Sequence, residues 1–114
     1  QVVLSKMAGN TSHFMWPWDG AVPHSLAHGI LDDVTYDWYF LLRAVLRSGG
    51  RAEILSENTI RLAYEKAHLH TGIPVCPTGA SGLAGLIQLH ASGAISPSES
   101  VGLFFTGFDR LRAK

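Results

Sequence analysis

Three stretches of this sequence repeat apolar residues at three- and four-residue steps, each gives way to glycine, and short apolar runs lie before, between and after them. A helix repeats about every 3.6 residues and a strand every two or so, and that order restricts the chain to helices interleaved with brief extended segments. The first stretch holds Trp38, Leu41, Leu42, Val45 and Leu46, with Asp32 and Asp33 ahead of it, Arg43 and Arg47 late in it, and Gly49-Gly50 behind. Early acids and late cations complement the helix dipole, so the pattern predicts a helix opening at Asp32-Asp33. Ser56 is a good N-cap with Glu57 in the first turn of a second helix running to about His70. Its buried side is Ile60, Ala63, Tyr64 and Ala67, and Gly72 with Pro74 ends it. A third helix is predicted after Gly79, with Leu83, Leu86, Ile87 and His90 on one side and a stop at Gly93. Its small Ala80, Ala84 and Gly85 permit close packing against a neighbour, and Ser96-Pro97-Ser98-Glu99 reads as a single capped turn.

The short apolar runs are strand candidates. Val2 to Met7 is β-branched at its start, Glu53 to Leu55 is brief, and Val101 to Phe105 is continuously apolar before Thr106-Gly107. That last run suits a strand buried on both faces of a parallel sheet. Residues 8–24 read as an aromatic loop around Phe14, Trp16 and Trp18, because Pro17 forces its predecessor out of helical geometry. Helices alternating with strands predict an α/β fold, a small and mostly parallel sheet with about three helices in layers, formed as one domain over residues 1–114.

Composition removes several function classes. Nine basic residues balance nine acidic ones, and no basic stripe is present, so neither nucleic acid nor an anionic membrane surface is an expected partner. No apolar stretch reaches membrane-spanning length. Charged residues make up only 16% against 46% apolar, a thin shell that predicts association through some apolar surface. Cys76 is the single cysteine, so no internal disulfide can form, and a cytoplasmic location is expected.

Besides the aromatic loop from His13 to Trp18, which would serve as a partner-binding patch or a lid or fill a core gap, four groups of residues invite a chemical reading. Pro77-Thr78-Gly79-Ala80-Ser81-Gly82 leads into a helix, where free N–H groups would hold an anion or the glycines would serve packing alone. Thr106 at the end of an apolar run would donate to or accept from a heterocycle, or cap a turn. His24 and His28, four apart, would share a helix face and could bind zinc, but Pro23 and Gly29 break that segment, and His68 and His70 would point apart on the second helix, so a packing or surface role is expected. Cys76 has no histidine placed beside it by the sequence, so a structural thiol is expected rather than a nucleophile.

Read in order, these segments resemble one family. Ser25-Leu26-Ala27-His28-Gly29-Ile30 is similar to the Ser-Ile-Ala-Asp-Gly-Ile segment of fold-type II pyridoxal-phosphate enzymes. Cys76 to Leu86 resembles their Glu-Pro-Ser-Gly-Ala-Ala-Gly-Leu-Ala helix start, and Gly93-Ala94-Ile95 with Val101 to Gly107 resembles their closing turn and strand. The resemblance runs from Val2 to about Phe108 and is nearest to threonine synthase-like and serine dehydratase-like members of the tryptophan synthase beta superfamily. It implies that Thr106 hydrogen-bonds the pyridine nitrogen of pyridoxal phosphate, that Gly107 lets backbone approach the ring, and that Thr78 and Gly79 line the same side. Two positions depart from the family pattern, Cys76 where an acid is usual and His28 where Asp is common. More seriously, Lys6, Lys66 and Lys114 lack the Ser-x-Lys context of the Schiff-base lysine, and no Gly-Gly-Gly phosphate loop is present. The expectation is therefore a C-terminal fragment or stand-alone remnant of a lyase or synthase, with no catalytic residue of its own and no cofactor held alone. Its partner would be a second copy or the missing part of the enzyme. The alternative is a noncatalytic module that self-associates or binds a protein.

Overall fold

A computed structural model describes residues 20–32 and 36–111. They form two compact units, one of residues 20–23, 32 and 36–53 and one of residues 24–31 and 54–111.

The first unit contains α1 (Trp38–Ser48). It begins later than Asp32-Asp33 suggests, with Asp37 at its N-cap, while residues 33–35 lie outside the described ones. Its end falls where the glycine pair requires: Gly49 adopts a left-handed φ of 69°, and Gly50 N–H donates to the Val45 carbonyl at 2.9 Å. The Arg43 guanidinium lies 5.7 Å from the centre of the Tyr39 ring. No residue of α1 is buried, and Phe40 and Leu41 are exposed.

The second unit is built on α2 (Glu57–Thr71) and α3 (Pro77–Ala91), packed on each other, with a 3-10 turn (His28–Ile30) against α3. α2 keeps the bounds its sequence signals give. Ser56 Oγ accepts the Thr59 N–H at 3.1 Å, and Gly72, at a φ of 68°, closes on the His68 carbonyl. α3 starts two positions before Gly79, because Pro77 fits the first helical position and the Cys76 side chain caps it. The predicted Ser96 turn forms: Ser96 N–H donates to Glu99 Oε1 at 2.8 Å and Glu99 N–H to the Ser96 carbonyl at 3.0 Å. Between the helices the core is Ile60, Ala63 and Ala67 facing Ala80 and Ala84, completed by Ala27 and Val75. Alanines four apart on each helix give shallow ridges, so the helices close tightly without large side chains between them.

The expected α/β architecture does not form. Among the described residues there are three α-helices, one 3-10 turn and no strand, so the fold is all-α and no parallel sheet exists. An apolar run becomes a strand only when a neighbour takes up its backbone groups, and among the described residues no such neighbour is present. Val101 to Phe105 takes no regular secondary structure, and it is not buried on both faces, since Phe104 is 85% exposed. The only ladder-like contact among the described residues is one antiparallel bridge between Val75 and Phe108. At Ile54 the carbonyl accepts from the Gln88 side chain at 3.2 Å instead of from a strand. The strand expected at Val2 to Met7 and all but the end of the aromatic loop at 8–24 lie outside the described residues; residues 20–24 are irregular.

Candidate functional site

The start of α3 gathers the residues that the sequence singles out. Pro77 has no N–H to offer, Gly79 N–H donates to Cys76 Sγ at 3.4 Å, and Ala80 N–H donates to the Cys76 carbonyl at 2.9 Å. The glycine-rich helix start therefore uses these donors on its own cap. That also gives Cys76 a structural task, as a half-buried N-cap.

Gly107 rests directly on this turn. Its carbonyl accepts the Cys76 N–H at 3.1 Å, and a Cβ at Gly79 would lie 2.5 Å from Gly107 N and 2.8 Å from its Cα. Gly79 is buried for that reason, and both positions need glycine. One turn on, a Cβ at Gly82 would meet Leu103 Cδ1 at 3.0 Å, so the extended run lies along the first half of α3. From the other side Gly29 N–H donates to Thr78 Oγ1 at 3.1 Å. Three stretches far apart in sequence thus meet: Ser25 to Ile30, Cys76 onward, and Val101 to Gly107.

Of the four residues expected at a cofactor, Gly79 and Gly107 are in contact, Thr78 is half-buried beside them, and Thr106 is exposed. The Thr106 hydroxyl makes no hydrogen bond among the described residues, so it is available to a ligand, whereas the Thr78 hydroxyl is engaged by Gly29.

An open groove of about 560 Å3 borders the same turn and is lined by His28, Gly29, Tyr64, Cys76 and Thr78 together with residues 108–111. Thr106 and Gly107 do not line it. Within it Tyr64 OH donates to Asp109 Oδ2 at 2.7 Å, joining α2 to the chain beyond Gly107. Nothing in the sequence announces this pair, since its members are 45 residues apart and neither sits in a motif.

Glu57 secures the Ser25 to Ile30 stretch. Its Oε2 accepts the Leu26 N–H at 2.8 Å. That bond, with a smaller contribution from the Ser25 hydroxyl, holds its carboxyl below the ordinary value of 4.5.

No cluster of three or more metal-binding side chains occurs among the described residues, and none of the four histidines His24, His28, His68 and His70 takes part in one. No described helix is long and apolar enough to cross a membrane. A scan of the chain against models of known families finds no match, and a search of curated proteins finds none either.

Proposed function

We propose that this chain is a catalytically incomplete portion of a threonine synthase-like pyridoxal-phosphate lyase or synthase, forming one side of the cofactor site. The observation that carries the reading is the meeting of the three resembling stretches at the start of α3, with Gly107 seated on Gly79 and Thr78 tied to Gly29. Thr106, exposed and without a hydrogen-bond partner among the described residues, would face the pyridine nitrogen. Gly107, Thr78 and Gly79 would support it from behind, the glycine pair fixing the backbone and Thr78 holding the Ser25 to Ile30 stretch. The cofactor, when bound, supplies an electron sink for chemistry at the β or γ carbon of an amino acid.

The residues present fit one edge of that group and no more. No lysine in a Schiff-base context and no phosphate loop belong to this chain, so those functions would come from the rest of the enzyme. The same reading puts the protein in the cytoplasm, which its single cysteine suits.

A second reading, a noncatalytic module that self-associates, is favoured by large apolar side chains left in the open, Ile54 at 94%, Phe104 at 85% and Leu69 at 77% exposure. Titration with pyridoxal phosphate, followed by absorbance and by borohydride reduction, separates the complete from the incomplete case. The proposal expects no stoichiometric imine band and no single reduced lysine. A band with one labelled lysine would overturn it.

A further inference from the structure

Thr106 and Gly107 end a run whose own backbone does little to place them. Residues 101–106 make no backbone–backbone hydrogen bond among the described residues. Such bonds begin only at the end of the run. The Gly107 carbonyl accepts the Cys76 N–H at 3.1 Å, and Asp109 N–H donates to the Pro74 carbonyl at 2.7 Å. Pro74 and Cys76 both belong to the short connection between α2 and α3. The Asp109 side chain adds a link to α2 itself. Its Oδ1 accepts the Leu111 N–H at 3.0 Å, which fixes the carboxylate within its own turn, and its Oδ2 accepts the Tyr64 hydroxyl at 2.7 Å. Tyr64 in turn packs against the alanine core between the helices. Each partner is therefore held before the two meet, and a hydrogen bond to a charged group under those conditions fixes geometry as well as adding energy.

We infer that Tyr64 and Asp109 are positioning residues for the cofactor edge. The phenol sets where Asp109 lies over α2, and through the backbone it sets Gly107 and Thr106, two and three residues earlier. A hydroxyl that is to meet a ring nitrogen has to be held to within about 0.5 Å, which a run without backbone bonds of its own does not achieve. The inference rests on the cofactor reading above, and its test separates the two.

Amide exchange and ligand titration would be measured on the whole chain. In Tyr64→Phe, exchange at Cys76 and Asp109 should quicken at least about tenfold, the loss of one hydrogen bond to a charged group. Titration with pyridoxine phosphate, the unreactive alcohol form of the cofactor, should shift the Thr106 and Gly107 amides in the parent. In Tyr64→Phe and Asp109→Ala those shifts should be lost at the ligand concentration that saturates the parent. Asp109→Asn should restore them, because its carbonyl still accepts from Leu111 and its amide donates to the Tyr64 oxygen. Ile60→Val, a core change of similar cost, should leave the Thr106 response as in the parent, so lost stability alone does not account for the effect. Exchange unaltered by Tyr64→Phe would overturn the inference whatever the ligand does. So would shifts at Thr106 that survive both Tyr64→Phe and Asp109→Ala. Quickened exchange with no shift at Thr106 in the parent would overturn instead the cofactor reading on which the inference rests.

Discussion

Glu57 shows how one exposed side chain fastens a distant stretch to the helix pair. It sits at the first position of α2 and accepts the Leu26 N–H, so the carboxylate serves the helix dipole and the loop together. Its folded pKa is lowered, chiefly by that backbone bond and then by Ser25. The sign follows: the stabilisation is complete above the ordinary value of 4.5 and is lost as pH falls through the lower, folded value. Denaturant melts of the parent between neutral pH and pH 3 or so should therefore show a falling midpoint that Glu57→Gln flattens. An unchanged slope in the variant would mean that Glu57 does not anchor Leu26. The Glu57 to Leu26 bond was not legible beforehand, because Glu57 reads equally well as an ordinary first-turn acid and its partner lies 31 residues away.

At the scale of elements, the helices were written plainly and the sheet was not there to be read. Periodicity and capping found α2 to within a residue, because Ser56 and Gly72 each have one natural use. α1 started later than its acids suggest, since an acid ahead of a helix serves equally well in the turn before it. α3 was misjudged at its start because cysteine is not a usual cap, although Pro77 marked the place. The run at Val101 carries a strand's composition, but composition cannot say whether a neighbouring strand exists. The C-terminal end of that run is seated by a close backbone approach between two glycines and by the bond from Cys76 N–H to the Gly107 carbonyl. Gly79→Ala would place a methyl 2.5 Å from Gly107 N, with backbone on both sides and no room to yield. A loss of about 2–4 kcal/mol in unfolding free energy is expected, against a preference for alanine over glycine of about 1 kcal/mol in an open helix. Equal or greater stability in the variant would show that the run does not rest on α3.

For the molecule as a whole, the second unit has a narrow core. Among the described residues five of its seven buried hydrophobic residues are alanines, and only Val75 and Ile60 contribute a larger side chain. At about 0.8 kcal/mol per buried methyl-sized group, such a core confers little stability by itself. Apolar surface that would normally thicken it is instead turned outward at Phe104, Leu69 and Ile54. A chain built this way gains from a partner, which agrees with its low share of charged residues. The candidate site follows the same division: its residues could be named from motifs, and their contacts came only from the packing of α3 against the final run.

The proposal that Thr106 and its neighbours form one side of a cofactor site is open to direct measurement. Amide spectra of the isotope-labelled chain would be recorded during titration with pyridoxine phosphate, which carries the ring and phosphate but cannot react with lysine. Weak, saturable shifts confined to Thr106, Gly107, Thr78, Gly79 and Gly29, and lost in Thr106→Val, are the predicted result. Shifts scattered over the surface, or none at those residues at millimolar ligand, would contradict it.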